Sequence, residues 1–176
     1  DLVSHRVDDE AWSHIAPLRV LSFDIECASR PGSFPDPLVD PVIQIANYVT
    51  VQGQTKPLVD NVFVLHTCTP IAGCDVRCFE TEQELLQAWS RFVVAVDPDI
   101  LTGYNIVQFD FDYLVKRAQK LRLRNFECFS RLLKQKVRCK DTKFSSAQTG
   151  GRESKEWFIE GRVVFDMYQV IQRDYK

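Results

Sequence analysis

The sequence predicts an α/β domain, a mixed sheet flanked by helices with an inserted β-hairpin. Three observations carry that prediction. Three apolar runs of strand length are separated by turn and loop residues. Two later segments place apolar residues at three- and four-residue spacings, the signature of helices with one buried face. A short fourth strand lies between those helices, so the first strands are expected to pair antiparallel and the fourth to join through a helix.

Each element follows in order. LRVLSFDI (18–25) is an apolar run of strand length, and SRPGSFPDPLVDP (29–41) is a loop because Pro, Gly and Asp dominate it. VIQIANYVTV (42–51) and NVFVLHT (61–67) read as the second and third strands, with a turn near Gln52–Pro57. Thr81 to Val96 reads as a helix with Leu85, Leu86, Trp89, Phe92, Val93 and Val96 on one face. Thr81 and Glu84 form a capping-box pattern at its start, and Asp97-Pro98 stops it. DILTGYN (99–105) is a short strand entering a Gly turn, and Phe109 to about Arg122 is a second amphipathic helix. Residues 134–165 read as a hairpin with a flexible tip at SSAQTGGRES and a returning strand WFIEGRVVF. A last helix starts near Asp166, where the carboxylate is read as a cap.

With 176 residues, 45% hydrophobic and 26% charged, the chain is long enough for one domain with a sizeable core. No apolar run is long enough to span a bilayer as a helix, so no membrane partner is expected. The chain starts on Asp1 and stops within its last predicted helix, so it is expected to be a piece of a longer protein, with residues 1–17 a linker from an upstream domain. The six cysteines form no C-x-x-C pair, and free thiols in a reducing compartment are the simplest reading. His5, His14 and His66 lack partners at useful spacing. The net charge of −2 conceals an asymmetry: residues 1–115 carry 17 acidic and 6 basic side chains, whereas residues 116–143 carry 11 basic and 2 acidic. Carboxylates ahead of a basic stretch suit metal binding beside a phosphate backbone, although each stretch can equally be a solvated face.

Two motifs carry chemistry. In Asp24-Ile25-Glu26 the two acids are two residues apart on a strand, so both project from the same face. Like charges that close raise each other's pKa, and a divalent cation relieves the repulsion. The second motif is NIVQFD (105–110), where the fourth strand gives way to a helix. Asp110 falls in that helix's first turn, where the dipole favours a carboxylate. Asp112 is about 200° further round the axis and does not share its face. Phe109 and Phe111 diverge in the same way, so one of them enters the core.

These motifs, in this order and frame, resemble the first two exonuclease motifs of the family B DNA polymerases, D-x-E and N-x-x-x-F-D. SFDIEC, FPDPLVDP, DPVIQI, LLQAW, DPDILTGYN, QFDFDYL, QTG and GRVVFDM fit delta-type members of that family in sequence and spacing, over residues 18–176. The resemblance implies a ribonuclease H-like 3′→5′ exonuclease domain that proofreads for a replicative DNA-directed DNA polymerase in the nucleus. It implies Asp24, Glu26 and Asp110 as metal ligands for two Mg²⁺ ions, with Mn²⁺ as a substitute, and Asn105 and Phe109 near the bound single-stranded 3′ end. The polymerase domain of the same parent chain, accessory subunits and a sliding clamp are the implied partners. The family's third motif, Y-x-x-x-D, is expected beyond Lys176. Asp112 departs from the family pattern, which often has Pro there, and is expected to face solvent.

Lys134, Lys136, Arg138 and Lys140 alternate through KQKVRCK and on one strand would share a face. That face suits either a DNA backbone or the guarding of a sheet edge. The alternatives to an active exonuclease are an exonuclease-like structural domain without activity in this chain and a stand-alone ribonuclease.

Overall fold

A computed structural model describes the backbone of residues 14–146 and 150–175 and their side chains outside 143–153. The first 13 residues of the predicted linker, and residues 147–149 of the predicted hairpin tip, lie outside the described residues. The strands are β1 (Arg19–Cys27), β2 (Val42–Val51), β3 (Val59–Leu65), β4 (Asp75–Phe79), β5 (Ile100–Gly103), β6 (Arg138–Ser146), β7 (Gly150–Phe158) and β8 (Val163–Asp166). The helices are α1 (Glu82–Val96), α2 (Asp110–Lys120) and α3 (Met167–Asp174).

Six strands form one mixed sheet in the order β4-β3-β2-β1-β5-β8, and β6 and β7 pair as a separate two-stranded ribbon. The predicted antiparallel pairing of β1 with β2 and of β2 with β3 is present. β5 runs parallel to β1, as a connection through a helix requires. β4 is an addition to the sequence reading; Asp75 and Arg77 interrupt any apolar run there, and the strand lies parallel to β3 at the sheet's edge. The returning strand of the predicted hairpin is two strands. Gly161, at φ +81°, turns the chain after Phe158, and β8 leaves the ribbon to extend the main sheet beside β5.

The core lies on one face of β1. Leu21, Phe23 and Ile25 point inward, and Phe23 sits 5.2 Å from both the Trp89 ring of α1 and the Phe111 ring of α2. The two predicted helices therefore cover the same side of the sheet. α1 carries the predicted capping box: the Thr81 hydroxyl accepts from the Glu84 amide and the Glu84 carboxylate from the Thr81 amide. The Trp89 indole N–H donates to buried Asn47 at 3.0 Å, which satisfies the polar atom of the largest core side chain. All six cysteines are free thiols, as read from their spacing.

Candidate active site

β1 alternates. With Leu21, Phe23 and Ile25 in the core, Asp24 and Glu26 both emerge exposed on the opposite face, as their spacing predicts. Asp24 opens onto a groove of about 630 Å³ along that face, bordered by Ser22, Gln44, Tyr48, Asp60 and Tyr104.

Asp110 reaches the same strand from α2. It is buried, and its Oδ1 accepts the Ile25 N–H at 3.1 Å. Ile25 is the residue between Asp24 and Glu26, so the structure brings the third carboxylate to the peptide that separates the other two. Burial, and then the Asp24 charge, push the Asp110 carboxyl up to about 7. Among the described residues, no three His, Cys, Asp or Glu side chains are gathered closely enough to hold one metal ion between them. The donor set is nonetheless hard oxygen, and the mutual repulsion of Asp24 and Asp110 is what a divalent cation offsets. The chemistry of these residues therefore fits such an ion.

The turn that delivers Asp110 is shaped by two residues. Gly103 packs against β1 so tightly that an added Cβ would lie 2.5 Å from the Phe23 carbonyl oxygen and 2.5 Å from Ile106 Cγ2. Asn105 takes a left-handed conformation, φ 63°, and its carbonyl accepts the Phe109 N–H at 3.0 Å. Asp166 holds the turn. It caps α3 as read from sequence, accepting the Tyr168 N–H at 2.9 Å. It also accepts the Asn105 N–H at 2.8 Å and the Val107 N–H at 3.0 Å, a role that no local sequence signal announced.

Phe111 is fully buried, whereas Phe109 stays half-buried at the start of α2 and meets exposed Phe34 edge-on at 5.4 Å. Phe34 belongs to the 29–41 loop, which α2 fastens. The Tyr113 hydroxyl donates to the Asp40 carbonyl at 2.8 Å, and Arg117 donates to the Pro37 carbonyl at 3.3 Å while pairing through two nitrogens with buried Glu82 at 2.8 Å each. Beside Glu26, burial pushes the Cys27 thiol up to about 12, so it stays protonated near neutral pH.

The basic stretch departs from the expected pattern. β6 begins only at Arg138, so Lys134 and Lys136 precede it, and Lys134 sits in a turn at φ 63°. Lys136 pairs with Glu127 at 2.7 Å and Arg138 with Glu160 at 2.6 Å. The four basic residues therefore do not line one strand face. Asp112 also differs from expectation: it is held by Lys116 and Lys155 rather than facing solvent.

Comparison with known proteins identifies the family. The family model "DNA polymerase family B, exonuclease domain" matches residues 1–176. The chain is 56% identical over its full length to the DNA polymerase delta catalytic subunit of Glycine max, 51% identical over 99% of its length to that of Drosophila melanogaster, and 51% identical over its full length to that of Schizosaccharomyces pombe. It spans 16% of each of those relatives. A solved structure, the family B DNA polymerase from the hyperthermophilic archaeon Pyrobaculum calidifontis, superposes with a TM-score of 0.57 at 29% identity, covering 90% of this chain and 16% of that one. The chain belongs to the exonuclease domain family of the family B DNA polymerases.

Proposed function

We propose that this chain is the proofreading 3′→5′ exonuclease portion of a delta-type replicative DNA polymerase acting in the nucleus. Its substrate is a single-stranded or frayed DNA 3′ end, and its product a nucleoside monophosphate. The observation that carries the reading is the Ile25–Asp110 hydrogen bond, which sets a third carboxylate beside two that share a strand face. Asp24, Glu26 and Asp110 would hold divalent cations, Mg²⁺ or Mn²⁺. When bound, these supply Lewis-acid stabilisation of the charge that develops on the phosphate and the leaving 3′ oxygen. The chain's own residues position the strand. Exposed Phe34 beside Phe109 offers a ring surface to an unstacked base, and Asn105 lies at the turn next to it. Lys134, Lys136 and Arg138 offer positive charge to the backbone, Lys136 and Arg138 by exchanging a carboxylate partner for a phosphate. The polymerase domain of the parent chain, accessory subunits and a sliding clamp complete the assembly in this reading.

Asp24→Ala combined with Glu26→Ala in the parent polypeptide is expected to abolish 3′→5′ degradation of a labelled oligonucleotide and to leave primer extension intact. Retained degradation would overturn the assignment. A second reading is an exonuclease-like structural domain without activity in this chain. Turnover of a 3′-labelled single strand by the 176-residue chain with Mg²⁺ would exclude it.

A further inference from the structure

Asp112 stands two residues beyond Asp110, and both of its oxygens are taken. Lys116, one turn along α2, reaches Oδ2 at 2.7 Å. Lys155, from β7, reaches Oδ1 at 2.6 Å. The Asp112 and Lys155 side chains keep only 20% and 22% of their exposure, so the pair is largely withdrawn from water. Two more bonds join the same parts. The Trp157 indole N–H donates to the Val107 carbonyl at 2.9 Å, and the Gln108 amide donates to the Ser154 hydroxyl at 3.3 Å.

The β6–β7 ribbon shares no ladder with the main sheet. A two-stranded ribbon has little stability of its own, and side-chain contacts set its pose. Trp157 is buried and anchors the ribbon's base beside the turn that leads to Asp110. The other neutral tie, Gln108 to Ser154 at 3.3 Å, is long for a hydrogen bond and holds weakly, so Trp157 alone leaves a pivot. Lys155 lies two residues away on the same face of β7, and a second fixed point on one face defines an orientation. Lys116 holds the Asp112 carboxylate from the other side, which keeps it aimed at the ribbon.

We propose that Asp112 and Lys155 form a latch that fixes the ribbon's orientation over the strand–helix junction carrying Asp110. Asp112 is then a positioning residue: it sets the spacing between the carboxylates and the ribbon, whose Arg138 the proposed function offers to a DNA backbone. The effect on DNA rests on the function proposed above; the latch itself does not. With the latch open, the ribbon pivots about Trp157, and a strand loses a preset path while the reacting groups are untouched.

Hydrogen exchange and steady-state kinetics test the two parts separately. In the 176-residue chain, Lys155→Met and Asp112→Asn are each expected to speed exchange of ribbon amides by about fivefold, the effect of losing one ion pair near the surface. The double variant is expected to add nothing further, and Lys155→Arg to restore slow exchange. In the parent polypeptide, each single variant is expected to raise KM for single-stranded DNA severalfold with kcat within about twofold. Unchanged exchange in Lys155→Met, or additive effects in the double variant, would overturn the latch. Faster exchange with unaltered KM would overturn the positioning role. If the unmodified parent hydrolyses nothing, the proposed function falls, and the exchange measurements still decide the latch.

Discussion

Asp110 has only 1% of its surface exposed, and burial governs its chemistry. With the folded-state pKa raised from 3.8 to about 7, the folded chain keeps a proton that the unfolded chain has already released. Stability from this group is therefore greatest at low pH, falls as pH rises between roughly 4 and 7, and levels off above that. Asp110→Asn is expected to remove the slope, so that in EDTA the variant gains on the parent sequence across the window by at most about 4 kcal/mol. Denaturation curves at several pH values check it, and a difference independent of pH would contradict it. For hydrolysis the order is set by placement: Asp110→Ala is expected to be far more damaging than Asp112→Ala, because only Asp110 meets the β1 peptide between Asp24 and Glu26. Equal losses of kcat would show that the site has been drawn around the wrong acid. Gly103→Ala drives a Cβ into the Phe23 carbonyl, the backbone just before Asp24, and is expected to cost about 1–3 kcal/mol of stability.

Between elements, the buried Glu82–Arg117 pair joins the start of α1 to α2 and, through Pro37 and Val42, to the 29–41 loop and the start of β2. Removing one member strands a charge, so Arg117→Leu is expected to cost about 3–5 kcal/mol, whereas Arg117→Leu with Glu82→Leu together cost less than the single change. Urea denaturation of both variants decides. Much of this level was legible in the sequence. The Thr81–Glu84 box, the apolar face of α1 and the strand end at Asp24 and Glu26 are local patterns with a period, and local patterns survive folding intact. What the sequence concealed is long-range. Glu82 reads as a solvated first-turn acid until Arg117 meets it, and Asp166 reads as a helix cap until Asn105 and Val107 arrive. β4 carries charged residues and no apolar alternation, and the break at Gly161 leaves the apolar pattern of the hairpin's returning strand running, so neither is visible in the sequence.

Among the described residues, part of the charge asymmetry of the sequence is folded away. Arg117, Arg131, Lys136, Arg138 and Lys116, all from the basic stretch, pair with Glu82, Asp97, Asp99, Glu127, Glu160 and Asp112. A basic run in sequence is thus partly neutralised in the fold. Among the described residues, Lys134 and Lys140 have no carboxylate within ion-pair distance, so their charge is free to release counterions from a phosphate backbone. Lys134→Gln with Lys140→Gln is expected to reduce the salt dependence of single-strand binding more than Lys136→Gln with Arg138→Gln, whose parents must first leave a carboxylate. Binding titrations across a salt series test the ranking, and a steeper effect from the second pair would reverse it.

The clamp at Asp166 also bears on the order in which the protein is made. All three carboxylates have been translated once Asp110 is in place, yet the turn that presents Asp110 is held by a residue 59 to 61 positions later. That residue ends β8, whose parallel pairing with β5 spans an intervening helix and ribbon. Contacts of such separation form late, because a long loop must close before they reward it. A nascent chain emerging from the ribosome therefore carries the three acids well before β8 can dock and hold the turn that presents Asp110.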